Sequence, residues 1–190
     1  MDPYVYPETS VLRNLRDIRD PNALAQFEAD VTWHRLKQLE NNPIRGSFDA
    51  RRLKSVHAYI FQDVYAWAGE FRTVNIARSD QFYFAFANQI DSSVTRLLGQ
   101  LQDEGPLKGL GVEAFSARAG YYLGELNAIH PFRDGNGRTQ REFIRQLALE
   151  NDYILNWSNV AADHMQEASR LSFQRGDNAR MIEVVRTALR

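Results

Sequence analysis

The side chains best suited to chemistry lie close together, in the stretch His130-Pro131-Phe132-Arg133-Asp134-Gly135-Asn136-Gly137-Arg138-Thr139-Gln140-Arg141. His130 is the only nearby side chain whose ordinary pKa suits a general base near neutral pH. Asp134 is a carboxylate among cations, and a carboxylate beside bound phosphates is a usual ligand of Mg²⁺. Arg138 and Arg141 are spaced to share one face of a helical turn, where guanidinium groups can bind phosphate oxygens. These residue types and spacings indicate phosphate chemistry.

The segment Gly135-Asn136-Gly137 predicts a turn that binds an anion. Both glycines permit a positive φ, which lets consecutive backbone N–H groups point into one concavity. The helix that follows adds its N-terminal N–H groups and the positive end of its dipole. Each feature alone is more often structural, because a lone histidine usually caps a helix and Gly-Asn-Gly is usually a plain turn. A structural turn requires neither the histidine nor both arginines, so the combination favours a functional site.

Two amphipathic helices must position this turn. Apolar residues recur before it at helical spacing, at Phe115, Ala119, Tyr122, Leu123, Leu126 and Ile129. Pro131 cannot continue that helix and disfavours the helical state at the residue before it. Apolar residues recur again at Phe143, Ile144 and Leu147, so a second helix is predicted to begin near Gly137 or Arg138.

This stretch resembles the Fic family motif, H-P-F-x-[DE]-G-N-G-R-x-x-R, at every fixed position. The segment Tyr65-Ala66-Trp67-Ala68-Gly69-Glu70-Phe71-Arg72 is similar to the part of that family that leads into its active-site flap. The opening from Asp2 to Asp20 resembles the start of the family's toxin branch. The resemblance implies an all-α fold, a Fic-type helical bundle with a small β-hairpin flap over the active site. It also implies one domain, 1–190, with its core at about 48–175, its flap at about 71–86 and its active-site loop at 130–138.

The same resemblance implies a reaction, the transfer of AMP from ATP to a hydroxyl side chain of another protein. His130 would accept the hydroxyl proton, and Asp134 would hold Mg²⁺ between the α- and β-phosphates. The ATP phosphates would be bound by Gly135, Asn136, Gly137, Arg138 and Arg141, with the Asn136 amide assisting the backbone N–H groups and Arg141 at the γ-phosphate.

The spacing of apolar residues changes between Phe71 and Phe86, where apolar and polar residues alternate. Alternation on both sides of Arg78-Ser79-Asp80 predicts a β-hairpin with that turn, although an irregular loop filled with aromatic side chains is the alternative. The resemblance favours the flap, in which an exposed strand edge holds an extended target segment through backbone hydrogen bonds. The target-docking residues would be Val74, Asn75, Ile76 and Tyr83.

The preceding helix has a regular apolar face from Leu53 to Trp67 and is predicted to end at Gly69. His57 lies on that apolar face. We therefore interpret it as a core histidine bonded to a neighbour, and not as a catalyst.

Composition excludes several classes of protein. The chain has 190 residues, a net charge of −1 and no cysteine, so neither a basic face for nucleic acid nor disulfide or thiol chemistry is expected. No apolar run approaches the roughly 20 residues of a membrane span, and the N-terminus does not resemble a signal peptide. We expect a cytoplasmic protein that binds neither nucleic acid nor membrane.

One absence in the sequence suggests a partner. Many Fic proteins carry an inhibitory Ser/Thr-x-x-x-Glu segment, and no Ser or Thr of this chain has Glu four positions later. The resemblance therefore implies a separate small antitoxin that supplies the inhibitory glutamate to Arg141 in trans. It also suggests type II topoisomerase ATPase subunits as the target proteins.

Three alternatives stay open from the sequence. The chain could be the Fic domain of a secreted effector, or it could transfer another phosphate-linked group such as UMP or phosphocholine. A kinase-like transfer ranks low, because that branch replaces the Gly-Asn-Gly-Arg turn. The remaining alternative is a non-catalytic binding module. The presence of every fixed catalytic position argues against it.

Overall fold

The computed structural model describes residues 2–79 and 82–189. Within them the fold is helical with one two-stranded antiparallel hairpin, which confirms the predicted all-α class. The helices are α1 (Pro21–Asn41), α2 (Ala50–Phe61), α3 (Ile90–Asp103), α4 (Val112–Ile129), α5 (Asn136–Leu149), α6 (Ala162–Arg175) and α7 (Ala179–Ala188), and the strands are β1 (Ala77–Ser79) and β2 (Phe82–Tyr83). In the described part of the chain, no helix combines the length and the apolar character that crossing a bilayer requires.

Local sequence signals fix where the first two helices begin. The Asp20 carboxylate accepts a hydrogen bond from the Ala23 N–H at 2.7 Å, and Pro21 occupies the first position of α1. The Asp49 carboxylate caps α2 in the same way, at 2.9 Å from the Arg52 N–H. A carboxylate at this position satisfies an N–H group that has no partner within the helix.

Among the described residues the core consists of two apolar clusters, and the motif loop lies where they meet. One cluster joins α3, α4, α5 and α7 and includes the fully buried Phe132 of the loop. The other joins the N-terminal arm, α1 and α2 and includes Phe61. The His57 ring stacks on Phe132 at a centroid distance of 3.9 Å and on Phe61 at 4.7 Å. The loop is therefore held by packing from both sides.

The predicted end of α2 was wrong, because the helix stops at Phe61 and not at Gly69. A series of turns follows, in which the N–H groups of Val64 and Tyr65 both donate to the Phe61 carbonyl. These turns fold the chain back on α2, and Gly69 adopts φ +90° against Ala58. The buried faces of Val64 and Tyr65 explain why the apolar pattern continues beyond the helix.

The hairpin lies inside the predicted flap segment but is shorter than predicted. Its register pairs Ala77 with Tyr83, and Ser79 with Phe82. Arg78 and Ser79, predicted as turn residues, belong to β1, and Asp80 lies outside the described residues. Val74 and Ile76 precede the strand.

The strand begins late because the backbone before it is used elsewhere. The Arg72 N–H donates to the Pro131 carbonyl at 2.9 Å, and the Val74 carbonyl accepts from the Arg72 side chain at 2.7 Å. These groups bind the start of the flap to the motif loop, so they are not available for strand pairing.

Candidate active site

Left-handed residues shape the loop at both ends. His130 closes α4 with φ 50° and ψ 62°, and its N–H donates to the Leu126 carbonyl at 3.0 Å. Gly135 precedes α5 with φ 76°. A β-carbon at Gly135 would overlap the ring of Phe61. Glycine is thus required at this position for two reasons, the sign of φ and the close approach of the ring.

The side chain of Asn136 holds the loop together from inside. Its Oδ1 accepts from the Phe132 N–H at 2.9 Å, and its Nδ2 donates to the Phe132 carbonyl at 2.8 Å. The side chain is buried. The oxygen and one N–H of the amide thus bind the backbone of Phe132, and the contact of the second N–H with phosphate stays a prediction.

The buried side chain of His57 stabilises the motif loop through a hydrogen bond. Its Nδ1 accepts from the Gly69 N–H at 2.8 Å, so the proton must lie on Nε2, which donates to the Asp134 carbonyl at 3.1 Å. Burial, together with the nearby Arg138 cation, lowers the pKa of His57 to about 4. The prediction of a core histidine bonded to a neighbour is confirmed, and the neighbour is part of the motif loop.

Contacts with Asn127 and Phe84, both in the described part of the chain, orient the His130 imidazole. Its Nδ1 lies 3.2 Å from the Asn127 carbonyl, which can only accept, so Nδ1 carries the proton and Nε2 is the basic nitrogen. The Phe84 ring stacks on the imidazole with a centroid distance of 3.9 Å and an interplanar angle of 19°. Phe84 follows directly after β2, so the flap itself forms one wall beside this histidine.

The first turn of α5 has the character of an anion site. The N–H groups of residues 136–138 lie at the helix N-terminus, where no carbonyl one turn earlier can accept from them within the helix. Both glycines of the turn permit a positive φ, and of the two only Gly135 adopts one. A β-carbon at Gly137 would lie 3.2 Å from Nη1 of Arg141. Glycine there makes room for the guanidinium to lie over the turn.

The two arginines of the motif have different surroundings. Arg138 forms an ion pair with Glu28, donates to the Thr32 hydroxyl at 3.1 Å and lies over the Phe61 ring at 4.7 Å. Arg141 instead lines a cavity, and burial, followed by repulsion from Arg138, lowers its pKa.

That cavity has a volume of about 390 Å³ and opens beside the motif. Its walls come from the flap, α4, the motif and α6, at Phe84, Asn127, His130, Gly137, Arg141, Met165, Gln166 and Ser169. A base, a cation and the N-terminal turn of a helix therefore meet around one space large enough for part of a nucleotide.

Asp134 is the carboxylate that would fit a magnesium ion. Its side chain is 46% exposed and lies 4.0 Å from Arg138. Among the described residues, no group of three or more His, Asp or Glu side chains could hold a metal. The donor set fits Mg²⁺ that takes most of its ligands from phosphate and water, which is the usual arrangement for this ion.

The predicted docking residues lie on the flap near this site. Tyr83 is 60% exposed, and Val74 and Ile76 are half-buried. The side-chain carbonyl of Asn75 accepts from the Ala87 N–H at 2.8 Å, which joins the two ends of the flap.

Sequence analysis assigned no role to two residues that support the site, Glu28 and Phe84. Glu28 of α1 contacts both Arg138 and the Tyr65 hydroxyl, and burial followed by the Glu28 contact raises the pKa of Tyr65. Phe84 lies in the alternating segment between Phe71 and Phe86, and that pattern does not indicate its contact with His130. Glu28 had no local signal, because its partners lie far away in the sequence.

Comparison with known proteins gives consistent matches. Residues 47–148 match the model of the Fic/DOC family. The protein adenylyltransferase VbhT of Bartonella schoenbuchensis is 44% identical over 99% of this chain, which spans 39% of that relative's length. A Salmonella typhimurium protein named "Probable protein adenylyltransferase Fic" is 37% identical, over 89% of this chain and 83% of its own length.

Solved structures resemble the whole described fold. The N-terminal Fic domain of a cell filamentation protein from Bartonella quintana, with bound ADP, has a TM-score of 0.91 at 27% identity, covering 98% of this chain and 94% of its own. The BepC protein of Bartonella tribocorum, with bound AMPPNP, also has a TM-score of 0.91, at 26% identity, covering 98% and 96%. On the evidence of the matched motif, the helical fold and these similarities, the chain belongs to the Fic/DOC family.

Proposed function

We propose that the chain is a protein adenylyltransferase, which moves AMP from ATP to a hydroxyl side chain of another protein. The observation that carries the proposal is the shared cavity, in which His130 and Arg141 meet beside the first turn of α5. A triphosphate in this cavity would meet a base, a cation and helix N–H groups together. The names of the relatives, and the ADP and AMPPNP bound by similar domains, support this substrate class.

In the proposed reaction the target hydroxyl oxygen attacks the α-phosphorus of ATP. The bond from that phosphorus to the β-phosphate oxygen breaks, and pyrophosphate leaves. His130 accepts the hydroxyl proton at Nε2, since its Nδ1–H is directed to the Asn127 carbonyl. The Phe84 ring against the imidazole restricts its rotation, so the basic nitrogen is held in one direction.

The negative charge of the phosphates is balanced by fixed groups. The N–H groups of residues 136–138 bind phosphate oxygens beside Gly135, whose own N–H donates to the Asp134 carboxylate. Arg141 binds the outer phosphates from the cavity wall. Arg138 adds positive charge from the α1 side of the turn. Mg²⁺ held by Asp134 and the phosphates would neutralise charge on the departing pyrophosphate. Most of the catalysis is thus positioning and electrostatic stabilisation.

The target segment is bound at the flap. Residues around Val74, Asn75, Ile76 and Tyr83 offer backbone groups and an exposed aromatic ring to an extended segment. Because Phe84 follows directly and contacts the imidazole, a segment bound here brings its hydroxyl towards His130. Backbone recognition would require only a short sequence motif in the target.

A separate small antitoxin is the proposed regulator, with a glutamate that neutralises Arg141. Two observations support it: the chain has no Ser/Thr-x-x-x-Glu segment, and within the described residues no ion pair involves Arg141. Type II topoisomerase ATPase subunits are the proposed targets, by the resemblance to Fic toxins, and the cytoplasm is the proposed place of action. The regulator is tested by expressing the chain with and without a small protein encoded next to it. Equal transfer activity of the chain in both cases would end this part of the proposal.

The experiment for the reaction uses purified chain, bacterial lysate and ATP labelled at either the α- or the γ-phosphate. AMP transfer labels protein from the α position only. His130→Ala should abolish the labelling and retain the fold, whereas His34→Ala, which changes an exposed histidine of α1, should have no effect. Label from the γ position would indicate phosphoryl transfer instead. Label transferred equally well by the His130 variant would contradict the proposal.

A further inference from the structure

Arg72 is a buried cation at the base of the flap. Its side chain is 2% exposed. Within the described residues its guanidinium donates four hydrogen bonds, all to backbone carbonyls: to His130 at 2.9 Å, Ile129 at 3.2 Å, Val74 at 2.7 Å and Ala85 at 2.6 Å. Because burying a charge is costly unless it is well solvated by the protein, such a site needs a specific reason.

These carbonyls belong to two different parts of the active site. Ile129 and His130 end α4, where carbonyls have no partner within the helix and a cation interacts favourably with the helix dipole. Val74 and Ala85 lie on the two arms of the flap, before β1 and after β2. One planar guanidinium therefore joins the catalytic backbone to both arms of the flap.

Arg72 also holds the backbone next to the stacked rings of Phe84 and His130. Ala85, whose carbonyl Arg72 binds, is adjacent to Phe84, and the Phe84 ring stacks on the His130 imidazole. Arg72 also binds the His130 carbonyl itself. The guanidinium thus fixes the backbone on both sides of this ring pair, and a change in its position would move the imidazole and the flap relative to each other.

Arginine is chemically specific for this role. Its fork presents several N–H donors in one plane, whereas the ammonium of lysine is a compact point charge that cannot span the same carbonyls. Burial, with repulsion from Arg133, lowers the pKa of Arg72 to about 10, so the group stays charged at neutral pH.

We propose that Arg72 is a positioning residue, which sets the His130 imidazole and the target-binding flap in one fixed relation. The proposal rests on the proposed function for its effect on catalysis. The orientation of the imidazole, however, can be measured without any activity.

The test compares Arg72→Lys with Arg52→Lys. Arg52 is the matched control, because it is also a buried arginine, 3% exposed, with a backbone carbonyl partner at Gly46 and side-chain partners on α5 and just after it. The first readout is the ¹⁵N NMR titration of the His130 ring, assigned with His130→Asn. The second is the split between kcat and KM for the target in the labelling assay, with ATP affinity measured separately.

We expect Arg72→Lys to change the tautomer balance or the titration midpoint of His130. It should also lower kcat/KM for the target about 100-fold, the scale of a misplacement near 1 Å, with ATP affinity within about twofold of the wild type. Arg52→Lys should change neither readout. The proposal is overturned if Arg72→Lys leaves the His130 titration unchanged, if Arg52→Lys gives the same changes, or if Arg72→Lys alone prevents folding, which would assign the contact to stability. Absence of transfer by the wild type would count against the proposed function only, because the NMR comparison still decides the role of Arg72.

Discussion

His57 makes the stability of the loop depend on pH. Its Nδ1 accepts from Gly69 and its Nε2 donates to Asp134, so the folded state has no place for a second proton on the ring. Burial lowers the pKa of His57 from 6.5 to about 4. Because the unfolded chain binds this proton more readily, the stabilising contribution is complete above about pH 6.5 and is lost as pH falls towards 4.

The magnitude follows from the size of that pKa shift. A lowering from 6.5 to about 4 corresponds to about 3 kcal/mol of unfolding free energy between pH 7 and pH 4. In His57→Gln the new side chain does not titrate. It retains a donor for the Asp134 carbonyl but leaves the Gly69 N–H without an acceptor, which costs about 1–3 kcal/mol at neutral pH. We therefore expect the variant to be less stable at pH 7 and the two proteins to converge or cross near pH 4.

The assay is urea unfolding followed by tryptophan fluorescence at intervals from pH 7 to pH 4. The quantity to compare is the change in unfolding free energy with pH, because carboxylates elsewhere contribute equally to both proteins. His34→Gln, which replaces an exposed histidine, is the matched control and should follow the wild type. If His57→Gln loses as much stability between pH 7 and pH 4 as the wild type does, the inferred protonation of His57 is wrong.

Two further substitutions test the supports of the turn. Gly135→Ala should destabilise the fold by roughly 3 kcal/mol or more and weaken ATP binding, because it adds a steric overlap to an unfavourable φ. The control is Gly176→Ala, with φ +64° in open space, which should cost only about 1 kcal/mol. Equal losses of stability in the two variants would rule out the overlap. Glu28→Gln should lower the free energy of unfolding by about 1–3 kcal/mol by removing the partly buried partner of Arg138. Glu113→Gln, from an exposed ion pair, should change it by no more than about 0.5 kcal/mol. Similar losses of stability in urea unfolding would contradict this difference.

The helices around the site follow from local patterns. The spacing of apolar residues in α4 and α5, interrupted by Pro131, predicts two helices joined at the motif, and α5 begins at Asn136, within two residues of the prediction. The turn residues carry their own signal as well. Gly135 has the positive φ that its type and position indicate, and the buried Phe132 anchors the loop.

What the sequence could not predict depends on contacts between distant segments. Glu28 and Arg138 are 110 residues apart, and Arg72 and His130 are 58 apart, so no periodicity connects them. The same reason explains the two errors in element bounds. An apolar pattern indicates burial and not helical hydrogen bonding, so the pattern continues past Phe61, where α2 ends. In the flap, backbone groups that could have paired with the other strand bind Arg72 instead.

The measurement that tests the central claim most directly is a crystal structure of the chain with a non-hydrolysable ATP analogue and Mg²⁺. We predict that the outer phosphates lie against the N–H groups of residues 136–138 and the guanidinium of Arg141, with the α-phosphorus on the side of His130 Nε2. A triphosphate bound outside this cavity, or an α-phosphorus beyond the reach of a hydroxyl held by His130, would contradict the claim.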